Sequence, residues 1–144
     1  MVEAALSLVV FLLLLFGILD FSRAVYSYHF VSSAARDASR WASVRGSSCT
    51  GLSGGCPATA ANVQTYVQGL APGGINSGQV TATTTWPQNP SNCPASPSNA
   101  PLCDVKVVVS YPFTFIALPR KLPFVPGLPS TLTMTSTSDM IISQ

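Results

Sequence analysis

AALSLVVFLLLLFGIL, residues 4–19, contains no charged side chain and decides the architecture of the N-terminal part of the chain. As an α-helix these residues span about 24 Å, slightly less than the ~20 residues that cross a bilayer comfortably. Glu3 stands where a secretory signal would carry basic residues, and no small-residue cleavage site follows Leu19. The stretch therefore predicts a membrane-anchoring helix and not a cleaved secretory signal.

The helix is predicted to continue beyond the apolar stretch. Asp20 and Arg23 are three residues apart and can pair on one helical face, and no proline or glycine follows until Gly46. We therefore predict one helix over residues 3–45, about 64 Å long. Its second half is amphipathic. One side, named the alanine stripe, carries Val31, Ala34, Ala35, Ala38 and Ala42; the other carries His29, Ser33, Arg36, Arg40 and Ser43.

A short second helix and three strands are predicted after a Gly/Ser-rich loop at 46–56. Pro57 suits the first position of that helix, and apolar residues recur at helical spacing from Val63 to Leu70. Alternating or apolar patterns predict strands at about 80–86, 104–111 and 131–142. The predicted fold is α+β: a long N-terminal helix, apolar in its first half, packed against a small antiparallel sheet with one short extra helix. The domains are residues 1–45, the helix, and 46–144, a disulfide-stapled extracytoplasmic head.

A proline-rich apolar segment occupies residues 112–130. Its prolines argue against regular structure, so we predict a loop. It either contacts a membrane surface or a neighbouring molecule, or folds back over its own sheet. The candidate contact residues are Phe113, Phe115, Leu122, Phe124 and Leu128.

Four cysteines fall in two close pairs, Cys49 with Cys56 and Cys93 with Cys103. Their spacing does not match zinc or haem motifs. Two local disulfides are the simplest interpretation, although three connectivities are possible. Disulfides place the head outside the cytoplasm.

Charge and motif content argue against several functions. Only 8% of the residues are charged, against about 25% in typical soluble proteins. The net charge of +2 and the scattered basic residues predict no nucleic-acid partner. The sequence contains no nucleotide-binding loop, zinc pattern or nucleophile elbow. We therefore expect no cofactor, no metal and no enzymatic activity, with His29 on the polar helix face.

Glu3 and the arginines bear on topology. Glu3 either lies at the headgroup level and favours the helix N-terminus, or pairs with the α-amino group of a neighbouring subunit and sets the register. Four arginines, from Arg23 to Arg45, follow the apolar stretch, and by the positive-inside rule they would put the head in the cytoplasm. Removal of a short basic leader in front of Met1 would reconcile this with the disulfides, so we expect the sequence to be a mature form.

Residues 1–43 resemble the N-terminal segment of TadE-like proteins, which are pilin-like components of tight-adherence (Flp-type, type IV) pilus systems. The resemblance lies in the Val2-Glu3 pair, in Phe16-Gly17-Ile18 leading to Asp20-Phe21 with Arg23, in Ala34-Ala35-Arg36, and in Trp41-Ala42. The segment VVVSYPFTF with the later LPFVPGLPSTLTMTSTSDM also resembles that family.

The resemblance implies processing by a prepilin peptidase and N-in/C-out insertion in the inner membrane. It also implies a pilus assembly platform, and copies of the chain or related pilins as partners. We expect a structural subunit of an extracellular filament, with a role in cell adhesion. The expected assembly residues are Glu3, Phe11, Phe16, Gly17, Asp20 and Arg23.

Two alternatives remain. The chain could be a minor pseudopilin or membrane-resident assembly factor that primes or caps a filament of other subunits. It could also be a single-pass envelope protein that binds a partner through residues 112–130. Stoichiometry in sheared filaments separates the first alternative from a major subunit.

Overall fold

The computed structural model describes residues 2–87, 93, 98–116 and 131–143. The helices are α1 (Val2–Ser43) and α2 (Ala60–Gly69), with a 3-10 turn at Ser77–Gln79. The strands are β1 (Thr81–Thr85), β2 (Asp104–Thr114) and β3 (Thr131–Ile141). The predicted α+β class and the order of its elements are confirmed.

The sheet has the order β1-β2-β3, and both pairs are antiparallel. The central strand β2 alternates between the two faces, so that Val105, Val107 and Val109 are fully buried on one of them. Burial of each such side chain contributes about 1.5–3 kcal/mol to folding. The hydrophobic core therefore lies between this face of the sheet and α1.

The alanine stripe of α1 lies against β2 and β3, as predicted, and all five of its members are buried. Its small side chains bring the helix backbone close to the sheet. In this contact the hydroxyl oxygens of Ser39 and Ser138 lie 2.8 Å apart. Strand β3 therefore turns Ser136 and Ser138 toward the helix, although its apolar pattern alone had assigned that face to Leu132, Met134, Met140 and Ile142.

Helix α2 covers the β1 side of the core. Val63 and Val67 are fully buried there. The Gln64 side chain donates to the carbonyl of Val80 at 2.8 Å and accepts from the N–H of Ala82 at 2.5 Å. One amide thus satisfies backbone groups at the edge of the sheet, which would otherwise lack a strand partner.

The start of α2 differs from the prediction. Pro57 does not occupy the first helical position; it lies outside the helix, after a cis peptide bond with Cys56. The N-cap is Thr59, whose hydroxyl accepts from the N–H of Asn62 at 3.2 Å. Threonine is a preferred N-cap because its side chain satisfies an unpaired N–H of the first turn.

The end of β2 also differs from the prediction. The strand runs through Pro112 to Thr114, and Pro112 pairs in register with Thr133. Strand β1 pairs only as far as Ser110, so one side of β2 is open at Pro112, where a proline interrupts no ladder hydrogen bond. Phe113 consequently points into the core, with 2% of its surface exposed.

Ser43 was predicted on the polar side of α1 but is buried. Its hydroxyl donates to the carbonyl of Arg40 at 2.9 Å, so burial leaves it a partner. Its own carbonyl accepts from the backbone N–H of Ser143 at 2.9 Å. The chain that follows β3 thereby attaches to the end of α1.

Candidate functional site

The first half of α1 projects from the head. Every residue from Val2 to Leu19 is exposed, and none of the most apolar 18-residue window of the helix is buried. By length and composition, α1 is the one helix in the described part of the chain that is able to cross a membrane. An apolar surface of this extent requires lipid or other protein helices around it.

The predicted assembly residues at the tip of α1 touch no other part of the head. Glu3 lies in the first turn, where a carboxylate favours the helix N-terminus. Phe11 and Phe16 are 63% and 47% exposed. A Cβ added to Gly17 would meet no atom within 4 Å, so this glycine is not required for packing inside one copy. All four residues present surface that is available to a neighbour.

Asp20 and Arg23 lie where α1 enters the head. The predicted pairing is confirmed, because Arg23 Nη1 donates to Asp20 Oδ1 at 3.2 Å. Asp20 is only 4% exposed, and its Oδ2 accepts from the backbone N–H of Ile116 at 3.2 Å. A buried carboxylate needs such partners to offset its lost hydration. Within one copy, therefore, Asp20 holds the chain that follows β2 against α1.

Arg23 contacts the head on its other side. Its guanidinium carbon lies 5.6 Å from the centre of the Phe113 ring, within the range of a cation–π contact. Phe113 and Phe115 form an edge-to-face pair at 5.1 Å. Phe113, predicted as a contact-loop residue, is instead part of the core, and Phe115 is partly buried against it. Leu122, Phe124 and Leu128 lie outside the described residues.

The disulfides lie in the head and join Cys49 to Cys56 and Cys93 to Cys103, the predicted pairs. Their Cα atoms are 5.9 and 4.7 Å apart, within the usual range for a disulfide. Beside the first of them, the Arg45 guanidinium lies 4.1 Å from the centre of the Trp41 ring and donates to the Ser53 carbonyl. The loop at 46–56 is thus fixed to the C-terminal end of α1.

Chemical groups for catalysis or metal binding do not cluster in the described ranges. Within residues 2–87, 93, 98–116 and 131–143, no group of three His, Cys, Asp or Glu residues is placed to hold a metal ion. His29 is exposed on α1, with its ring beside that of Tyr28. The feature of this part of the chain that needs a partner is the apolar surface of α1.

Comparison with known proteins adds one finding about that helix. A family model of TadE-like proteins matches residues 1–40. The predicted resemblance is confirmed over this TadE-like segment, which comprises most of α1 and its junction with the head. The match indicates a protein associated with a Tad pilus system. No curated protein matches the chain, and no solved structure matches it. The resemblance of the C-terminal segment lies outside the match and stays a prediction.

Sequence reasoning missed three polar contacts that fix the helix and the sheet. They are the bond from the Ile116 N–H to Asp20, the contact between Ser39 and Ser138, and the two bonds of Gln64 to β1. All three join residues far apart in the chain, so no local pattern carries them. A signal for the first was Asp20 itself, because an acid directly after an apolar stretch requires partners when the head covers it.

Proposed function

We propose that the protein is a structural subunit of an extracellular, Tad-type pilus filament, assembled through α1. The observation that carries this proposal is the division of one continuous helix. Its second half is packed under the sheet, whereas its first half is exposed on all sides and uncharged after Glu3. The match of the TadE-like segment supports a pilus system as the setting.

In this proposal α1 has two successive environments. Before assembly the subunit lies N-in/C-out in the inner membrane, with residues 4–19 in lipid and the disulfide-bonded head outside the cytoplasm. A prepilin peptidase processes the chain, and an assembly platform moves it into the filament. There, copies of the chain or related pilins replace the lipid around the apolar stretch.

Glu3 has a specific task in this proposal. A carboxylate is costly inside an apolar bundle unless a positive group meets it. The α-amino group of a neighbouring subunit supplies that charge, and the pair sets the axial register of the helices.

The test is fractionation of cells into sheared surface filaments and membranes, followed by quantitative mass spectrometry and negative-stain imaging. A major subunit should dominate the sheared filaments. A small, constant fraction relative to another pilin would favour the minor-pseudopilin alternative. Recovery from membranes alone would contradict a filament subunit.

A further inference from the structure

Three apolar side chains of α1 remain exposed above the apolar stretch. They are Phe21, Val25 and Tyr28, spaced by four and three residues, with 69%, 38% and 57% of their surfaces exposed. We name them the apolar row. They belong to the part of α1 that the head covers on its other side, so the chain's own sheet does not bury them.

The position of the row on the helix identifies it as a packing surface. At 3.6 residues per turn it lies roughly 130° around α1 from Asp20, Ser27 and Ala34, which are buried under the head. It continues, with alternating spacings of three and four residues, the line formed by Phe11, Leu14 and Ile18. This alternation is the heptad pattern of helices that pack side by side.

The row is too narrow for a surface that faces lipid. Ser22 and His29 are exposed along one border of it, so the apolar surface is only about one side chain wide there. A broad apolar face is typical of contact with a core, whereas a narrow stripe at heptad spacing is typical of a seam between two helices. The row therefore requires a helix as its partner.

We propose that the apolar row is covered by residues 4–19 of α1 in a second copy of this chain; this rests on the filament proposed above. That stretch is apolar on every side, so any of its faces fits the row. It carries no charge that the contact would bury, and its length of about 24 Å exceeds that of the row.

The contact is staggered, because the two surfaces lie at different heights on the same helix. The second copy is shifted along the axis by roughly 14–36 Å, the range that places some part of residues 4–19 beside Tyr28. Two copies at equal depth in a membrane do not make this contact. Each bound copy still offers its own row to a further copy, and such a heterologous interface generates an open filament.

Disulfide cross-linking tests the contact directly. All four natural cysteines are already paired, so two introduced cysteines supply the only free thiols. Val25→Cys is combined in one chain with a cysteine at Leu6, Val9, Leu12 or Phe16, one at a time. The control replaces Val25→Cys by Tyr26→Cys, at nearly the same height but about 100° around the helix.

The expected result is a ladder of reducible multimers with Val25→Cys and at least one of the four partners, and its loss with Tyr26→Cys. Equal ladders from both positions, or none in recovered filaments, would overturn the proposal. So would adducts whose masses contain only a different pilin. A ladder in membranes, with the chain absent from filaments, would leave the contact standing and refute the filament role.

A charge in the row gives an independent readout. Val25→Lys should be lost from sheared filaments while its amount in membranes is unchanged, whereas Tyr26→Lys should be incorporated like the wild type. Equal incorporation of the two variants would show that the row faces no helix, without affecting the filament role of the chain.

Discussion

The Asp20 carboxylate and the Arg23 guanidinium lie 3.2 Å apart, one turn along α1 and at the point where the helix leaves its exposed half and enters the head. The two residues differ in environment, since 6% of the Asp20 side chain and 47% of the Arg23 side chain are exposed. Asp20 also accepts from the N–H of Ile116. The pair therefore fixes the end of β2 to the base of the exposed helix.

Asp20→Ala should loosen this junction. The change leaves the N–H of Ile116 without this acceptor and removes the carboxylate beside Arg23, which should cost about 1–3 kcal/mol of the free energy of unfolding. Denaturation in detergent, with hydrogen exchange at residues 111–116, measures the effect. Asp37→Ala removes an exposed acid from the same helix and is the control, with an expected change within about 0.5 kcal/mol. Equal effects of the two variants would contradict the role of Asp20.

Ser39→Ala should destabilise the contact between α1 and β3 by about 1 kcal/mol, because Ser138 then loses its hydroxyl partner in a buried site. A double-mutant cycle with Ser138→Ala isolates the interaction. We expect the double variant to cost less than the sum of the two single variants. Strict additivity would show that the two hydroxyls do not interact in solution.

Ala38→Leu should destabilise the head by about 1–3 kcal/mol, because Ala38 is fully buried against the sheet and a larger side chain forces the helix away. Ala61→Leu is the matched control, since Ala61 is exposed on α2 and leucine is nearly as good a helix former as alanine. Thermal unfolding measures both. A stable Ala38→Leu variant would mean that the helix and the sheet are not closely packed.

These contacts show how far the sequence predicts the fold. The helix, the alanine stripe and the order of the strands follow from periodic patterns, which local chemistry dictates. Ser43 was misassigned because the pattern counts serine as polar, whereas its hydroxyl is satisfied by the Arg40 carbonyl of the preceding turn and tolerates burial. Phe113 was misassigned because the prolines around it suggested a loop, and only the pairing with β3 shows that one proline fits a strand.

The candidate site was predictable to a similar degree. Glu3 and the apolar stretch identify themselves by charge and hydropathy alone. The second partner of Asp20 did not, because Ile116 is distant in the chain and contributes only its backbone N–H. The apolar row was also not recognised, since it becomes distinct only when the head covers the other side of α1.

Non-reducing peptide mapping should recover Cys49 linked to Cys56 and Cys93 linked to Cys103. Replacing either pair by serines should lower the free energy of unfolding by about 2–4 kcal/mol, because the unfolded chain regains the freedom of the closed loop. A peptide that joins Cys49 to Cys93 or Cys103 would contradict the pairing in the structure.

Glu3→Ala should leave the chain inserted in the membrane but reduce its incorporation into filaments, because the variant no longer offers a carboxylate to the α-amino group of a neighbour. Quantitative mass spectrometry of sheared filaments and membranes gives the ratio of the two pools. Asp37→Ala, which removes an exposed acid beyond the apolar stretch, should keep the wild-type ratio. An unchanged ratio for Glu3→Ala would refute the pairing.

The transfer of residues 4–19 from lipid to protein is the central claim, and labelling with a lipid-soluble photoreactive probe tests it most directly. Cells are labelled, filaments are sheared off, and peptides from the filament and membrane pools are compared by mass spectrometry. The account predicts labelled residues 4–19 in newly labelled membrane-embedded subunits and no labelling of this stretch in filaments assembled beforehand. Absence of the chain from filaments, or equal labelling of the stretch in both pools, would contradict it.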